Sequence, residues 1–346
     1  MAVPPTELSR FLEAAFPGAT IARIAGDAST RCFFRVRPVD GTSCVVMDYG
    51  APFEGETDDV RLSRVFQESR LPVARILRSV PQAGCLVLED LGERTMESVL
   101  EEARLSMVPA EEGRRGFEDL YRQAVDLAVA FVVRGTPVLA RSERASGPTL
   151  DAERFRFEMD FFVEHYVRGL RGIEIPPPPL VDELYHLADR AAGGSRVFCH
   201  RDFHSRNLMV RPDGSLAIVD IQDARWGPDA YDLASLLRDA YVDIPEPLVI
   251  ELVNQYRAAL PGCLPAAGFL ARFDIVAAQR MIKALGTFAF QAKVRGQSRY
   301  LAAVPRTLDR LARLLPQRFE TASLARQLER AGLVSPQSTP STTPPS

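Results

Sequence analysis

One stretch limits what the whole chain can be: residues 199–234, CHRDFHSRNLMVRPDGSLAIVDIQDARWGPDAYDLA. Leu208–Met209–Val210 and Leu216–Ala217–Ile218–Val219 are short apolar runs, and Pro212–Asp213–Gly214 between them is turn chemistry. Together they predict a β-hairpin. Asp202 and Asn207 then fall on a loop before the first strand, and Asp220 falls just past the second. Folding the hairpin is expected to bring all three side chains to one edge. A loop with two turn-capping aspartates and a buried asparagine would carry the same residues, but it would not need all three in register with a hairpin.

A base, an amide oxygen and a carboxylate on one edge suit phosphoryl transfer. Asp202 is placed to accept the proton of an attacking hydroxyl. Asn207 and Asp220 offer hard oxygen ligands of the kind Mg²⁺ takes when it bridges nucleotide phosphates.

The N-terminal part supplies a sheet. Residues 6–16 predict an amphipathic helix with Leu8, Phe11, Leu12 and Ala15 on one face. Strands are predicted over residues 20–25, 32–36 and 44–49, then a helix over 57–69 with Thr57 as its cap, then strands over 75–80 and 85–89. Between the first two strands, Gly26–Asp27–Ala28–Ser29–Thr30–Arg31 puts the donors Ser29, Thr30 and Arg31 in a tight turn, suited to phosphate oxygens. A polar hairpin turn would read the same way.

Helices dominate afterwards. Residues 104–116 read as a loop and 117–133 as a core-facing helix. Residues 151–170 read as a helix whose Glu158, Glu164 and His165 are expected on a solvated face, with a sugar-pocket lining as the alternative. Residues 176–179 are a proline connector and 181–192 a helix ended by Gly193–Gly194. A helix is expected over 229–241, with Asp232 near its start, and further helices over 246–260, 266–295, 301–315 and 321–331. The end of the chain, SPQSTPSTTPPS, is low-complexity and expected to be disordered.

These residues resemble the aminoglycoside phosphotransferase and choline kinase superfamily, from about Thr20 to about Tyr241. His200–Arg201–Asp202 with Asn207 matches the kinase catalytic loop, and Asp220–Ile221–Gln222 stands where kinases carry the metal aspartate of D-F-G. His204 inside the loop is similar to the aminoglycoside phosphotransferase branch. Val46–Met47–Asp48, Leu88–Glu89–Asp90–Leu91–Gly92 and Tyr231–Asp232–Leu233 through Leu236–Leu237–Arg238–Asp239 extend the match. Within the superfamily the chain most resembles bacterial anomeric kinases for N-acetylmuramate and N-acetylglucosamine.

The resemblance implies an α+β, protein-kinase-like bilobal fold: a five-stranded antiparallel small lobe over residues 1–91, a mainly helical large lobe over 92–334, and a disordered tail over 335–346. It implies ATP and Mg²⁺, and a hinge where adenine pairs with the Glu89 carbonyl and the Leu91 N–H. Asp232 would hold the catalytic loop by accepting its backbone N–H groups. Substrate contacts are expected from His204, Arg206, Gln222 and Asp223, with Arg206 a partner for the lactyl carboxylate of N-acetylmuramate. The implied reaction is phosphorylation of the anomeric hydroxyl of an amino sugar, giving a 1-phosphate for cell-wall recycling. An antibiotic kinase of the same fold is the second reading, and a non-catalytic nucleotide-binding scaffold the third. An intact Asp202, Asn207 and Asp220 speaks against the scaffold.

The chain departs from the kinase pattern in one place. The third strand normally carries a lysine for the nucleotide phosphates, and here Met47 occupies that position. The basic residues are 40 arginines and two lysines, Lys283 and Lys293, both in the C-terminal helical part. Arg31 or Arg35 is therefore expected to supply the missing charge.

Composition excludes other classes. A net charge of −3 carries no nucleic-acid footprint. No apolar run reaches membrane-span length, and the start lacks a secretory pattern. Five scattered cysteines without C-x-x-C read as small buried hydrophobes in a reducing cytoplasm. No protein partner is inferable.

Overall fold

A computed structural model describes residues 7–24, 31–105, 110–262 and 265–335. The strands are β1 (Thr20–Ile24), β2 (Cys32–Arg37), β3 (Cys44–Asp48), β4 (Ile76–Val80), β5 (Cys85–Glu89), β6 (Arg196–Cys199), β7 (Leu208–Val210), β8 (Leu216–Ile218) and β9 (Arg225–Pro228). The helices are α1 (Glu7–Ala15), α2 (Asp58–Glu68), α3 (Met96–Leu105), α4 (Ala110–Ala130), α5 (Thr136–Leu139), α6 (Ala152–Phe162), α7 (Pro178–Ala191), α8 (Tyr231–Leu237), α9 (Glu246–Ala259), α10 (Ala266–Lys293), α11 (Val304–Leu314) and α12 (Phe319–Arg330).

The chain forms two compact units that do not follow chain order. The first comprises Met1–Gln123, Arg134–Ser146 and Arg206–Ala224; the second comprises Ala124–Val133, Gly147–Ser205 and Arg225–Ser346. The first is built on an antiparallel sheet of order β1-β2-β3-β5-β4, with α2 between β3 and β4. Its apolar face collects Val36, Cys44, Val46, Cys85 and Val87, and α1 covers it with Leu12, Leu8 and Phe11. That is the stripe its 3.6-residue periodicity predicts. The hairpin β7–β8 forms in the expected register, Leu208 opposite Ile218. It joins this unit through bridges from Val73 to Ile218 and from Thr95 to Met209.

In the second unit α10 runs through the middle and packs against α6, α7, α8, α9 and α11. It passes close to α6 at Gly286, where a Cβ would lie 2.8 Å from the Phe162 Cα and 3.1 Å from the Phe162 nitrogen. Directly after Phe162, α6 loosens into a π-helical stretch, Val163–Arg168.

Several local expectations are corrected. Residues 110–116 are helical, not loop, because Ala110–Ala130 is one helix that tolerates two glycines on its open side. The helix after the hairpin is only Tyr231–Leu237, and the segment before it pairs as β6–β9, a ladder too short for a visible alternation. The proline connector ends at Pro177, since Pro178 opens α7, where a missing N–H costs nothing. Thr57 stands at the start of α2 without capping it; its hydroxyl donates instead to the Tyr49 hydroxyl at 3.0 Å. Cys44, Cys85 and Cys199 are buried thiols and Cys32 is partly covered. The expected disordered tail falls, from residue 336, outside the described residues. Among the described residues no helix is long and apolar enough to cross a membrane.

Candidate active site

In the second unit the loop after β6 is held in an unusual shape. Arg201 has φ 83°, a left-handed value that a side chain with a Cβ adopts only when its surroundings insist. Three contacts supply that insistence. The buried Asp232 carboxylate, on α8, accepts the His200 N–H at 2.6 Å and the Arg201 N–H at 3.0 Å. Arg280, on α10, donates to the Arg201 carbonyl at 2.7 Å. Further along, buried Asp239 accepts the Ser205 N–H at 3.0 Å and also the Ser205 hydroxyl. Beneath the loop, Phe131 packs edge-on against His200 and Phe203. Asp239 is a second clamp that the sequence reading quoted without a role. Its signal is two acids seven residues apart, Asp232 in the first turn of α8 and Asp239 just past the end of that helix.

Asp202 projects from this loop with its side chain 28% exposed. Lys283 Nζ lies 3.2 Å from its Oδ1, and Arg280 Nη2 lies 3.7 Å from the same oxygen. Burial pushes the Asp202 carboxyl up, but Lys283, Arg201, Arg280 and His204 together hold it well below the usual carboxylate range. It is therefore an anion throughout the neutral range. His204 rests edge-on against Tyr241. Burial lowers its imidazole below the ordinary value, with Asp239 and Asp202 pulling the other way. Lys283 and Arg280 are the residues that sequence reasoning missed.

Glu158 corrects another expectation. It is buried, not solvated, and its Oε2 accepts from Gln279 at 2.8 Å. Glu164 is exposed and pairs with Arg168, and His165 packs against Phe161 and Phe290.

In the first unit the hairpin sets Asn207 and Asp220 side by side. The Val219 N–H donates to the Asn207 carbonyl at 3.1 Å, extending the β7–β8 ladder by one step. Asp220 follows with φ 65°, another left-handed residue, which turns the chain sharply into Ile221–Asp223. Gln222 donates to Asp220 Oδ1. Among the described residues no three His, Cys, Asp or Glu side chains cluster as a metal cage. An amide and a carboxylate at one hairpin mouth fit Mg²⁺ instead, since that ion keeps waters and phosphate oxygens in its shell. Arg206 forks onto Glu97, with Nε at 2.8 Å and Nη2 at 3.0 Å, so a substrate carboxylate there would compete with Glu97.

The sheet places the two arginines differently. Arg31 Nη1 lies 2.8 Å from Asp59 of α2 and 3.9 Å from the Met47 sulfur, and its guanidinium covers the Tyr49 ring at 5.0 Å. Tyr49 donates to the other Asp59 oxygen at 2.6 Å; burial, with that bond, pushes its phenol far up. Arg35 instead grips the segment after β5, with two bonds to Asp90, one to Glu93 and one to the Gly92 carbonyl. Glu89 pairs across β3–β5 with Cys44, its carboxylate takes Arg75, and Leu91 is buried. Ser29 and Thr30 lie outside the described residues.

Comparison with known proteins agrees with this architecture. A Pseudomonas aeruginosa protein named N-acetylmuramate/N-acetylglucosamine kinase is 32% identical over 321 residues, covering 90% of this chain and 88% of that one. A Plasmodium vivax ethanolamine kinase superposes with a TM-score of 0.63 at 11% identity, covering 92% of this chain and 88% of that one. An ADP-bound aminoglycoside phosphotransferase does so with a TM-score of 0.56 at 11% identity, covering 92% and 98%. The fold is thus the protein-kinase-like α+β fold of these enzymes. The profile of the phosphotransferase enzyme family matches residues 20–269, a span that takes in the sheet, the clamped loop, the hairpin and α8. The chain is a phosphotransferase enzyme and belongs to that family.

Proposed function

We propose that the protein uses ATP to phosphorylate the anomeric hydroxyl of N-acetylmuramate, N-acetylglucosamine or both. The observation that carries the chemistry is the ionised Asp202 on a loop clamped by Asp232 and Asp239. The acceptor follows from the relative's printed activity and its coverage of both chains. Asp202 takes the proton of the acceptor hydroxyl as that oxygen receives the γ-phosphoryl group. An anomeric hydroxyl is more acidic than other sugar hydroxyls, so a carboxylate of low basicity suffices. Asn207 and Asp220 hold Mg²⁺, which when bound neutralises phosphate charge. His204, Arg206, Gln222 and Asp223 are the proposed sugar contacts. Glu89 and Leu91 present the hinge backbone to adenine, and Ser29 and Thr30 cover the phosphates.

Arg31 takes the place of the missing strand lysine. Its guanidinium reaches the Met47 side chain and pairs with an acid on α2, as the kinase lysine pairs with a glutamate on the equivalent helix. Arg35 is the weaker candidate of the two, because Asp90, Glu93 and Gly92 already engage its donors. Residues 1–91 and 92–334 act as the nucleotide and acceptor lobes. The product 1-phosphate feeds nucleotide-sugar synthesis in cytoplasmic cell-wall recycling.

A sugar panel with an ATP-consumption readout tests the acceptor. The free amino sugars are expected to turn over, and their 1-O-methyl glycosides to be inert. Phosphorylation of a glycoside at a comparable rate refutes the anomeric assignment.

A further inference from the structure

Lys283 stands out because this chain makes almost every cation an arginine: 40 against two lysines. Lys293 is exposed in the last turn of α10, an ordinary place for a basic residue at a helix end. Lys283 is different. Its side chain is only 17% exposed, and its ammonium meets Asp202 Oδ1 at 3.2 Å.

Charge balance alone does not call for it. Arg280, one turn earlier on α10, already lies 3.7 Å from that oxygen, while it donates to the Arg201 carbonyl and covers the Tyr231 ring at 4.5 Å. Arg201 adds a third cation from the loop itself. A second cation on the helix, mostly withdrawn from water, is a cost to stability that an apolar side chain would avoid. Burial lowers the Lys283 ammonium below its ordinary value, and only Asp202 and Glu158 oppose that. The two α10 cations also divide the labour. The planar Arg280 fork fixes the loop backbone, and the compact ammonium, with three rotatable donors, addresses the carboxylate.

We propose that Lys283 is a positioning residue for phosphoryl transfer: its ammonium anchors Asp202 through Oδ1, fixing the carboxylate for the acceptor hydroxyl. The inference rests on the reading of Asp202 as the base. Among the described residues, the charged or titratable groups around Asp202 include Arg201 and His204 on its own loop, Arg280 and Lys283 on α10 and Tyr231 of α8, with Glu158 of α6 beyond Lys283.

The test compares Lys283→Met, Lys283→Arg and, as a control, Lys293→Met in the full chain. Lys283→Met is expected to lower kcat about 10–100-fold, the scale of a misplaced reacting group, with the ATP KM within about twofold. The acid limb of its kcat profile moves to higher pH, because the largest opposing charge on Asp202 is gone. Lys283→Arg restores the limb, since the charge is back, but leaves kcat below wild type. Lys293→Met matches wild type. The proposal is overturned if Lys283→Met keeps kcat within about threefold, or if its acid limb does not move. A readout independent of turnover is thermal unfolding, without ligands, of Asp202→Asn, Lys283→Met and the double variant. Non-additive shifts in Tm support the anchor and additive shifts overturn it. Failure of the wild type to phosphorylate any acceptor would sink the kinase reading instead, and the unfolding cycle still decides the anchor.

Discussion

Gly286→Ala offers a test in which the sign of the answer is at stake. In the interior of a helix this substitution ordinarily stabilises by about 1 kcal/mol, because alanine restricts the unfolded chain and favours the helix. Position 286 reverses the expectation. The new Cβ would sit 2.8 Å from the Phe162 Cα, about 0.6 Å inside ordinary van der Waals contact, and what it meets is backbone rather than a yielding side chain. Overpacking of this kind costs about 1–3 kcal/mol, so the net is a loss of up to about 2 kcal/mol. The strain is relieved by parting α10 from α6, and α10 carries Lys283 one turn before the contact. A displacement approaching 1 Å at a reacting group lowers turnover by up to about 10²-fold. Urea unfolding followed by far-UV circular dichroism should show a lower midpoint with an unchanged slope, and kcat should fall alongside. Gly116→Ala in α4, where nothing lies within 4 Å of the added Cβ, is the control and should raise the midpoint. If Gly286→Ala also raises the midpoint and leaves kcat alone, the close approach does not position α10 and the reasoning is wrong.

Other substitutions separate the remaining roles. Asp202→Asn should keep the fold and lower kcat by about 10²–10⁴-fold; turnover within a few-fold of wild type would remove Asp202 as the base. Because the Asp202 carboxyl is depressed, its contribution to stability is present above the unfolded carboxylate range and is lost as pH falls through the depressed value. The asparagine variant should therefore lack that part of the acid destabilisation in pH-dependent unfolding. Asp220→Ala should raise the Mg²⁺ concentration needed for half-maximal activity, since it removes a full charge from the proposed metal shell; an unchanged metal titration counts against the assignment. Arg31→Ala should raise the ATP KM while the sugar KM at saturating ATP stays put. Arg35→Ala should act mainly on stability, by leaving the Asp90 carboxylate, only 6% exposed, without its cation. Equal, wild-type ATP handling in both would mean that neither arginine replaces the lysine.

The parts of the site that were legible in the sequence are those written in local spacing. The hairpin announced itself through Pro212–Asp213–Gly214 and its flanking apolar runs, and it carries Asn207 and Asp220. The order of strands and helix through Glu89 was equally plain, because each element is bounded by turn residues and has its own period. The hidden parts act across long separations. Lys283 reaches Asp202 from a helix that reads as generic core, so only the scarcity of lysine marked it. Glu158 looked like one more acid on a helix face until Gln279 of α10 covered it. Arg31 and Arg35 could not be told apart by alternation along a strand. Their difference lies in what faces them, an acid on α2 for one and the segment after β5 for the other.

The hairpin's attachment has a consequence for how the protein is made. Ile218 donates its N–H to the Pro72 carbonyl and Val210 donates its N–H to the Arg94 carbonyl, so the sheet unit is stitched shut by chain that emerges much later. A ribosome delivers β1 to β5 long before β7 and β8 exist. Until Ala224 has left the exit tunnel, the nascent sheet lacks its last partner, while much of the intervening helical chain is already out and still awaiting α8 and α10. Domains ordinarily fold one after another, N-terminal first, during synthesis. Here the two units are interleaved along the chain, and neither can finish ahead of the other by more than the length of the last segments. Contacts of such separation slow the search and prolong the exposure of apolar surface. Chaperone demand, yield on expression and tolerance of C-terminal truncation should all reflect that interleaving.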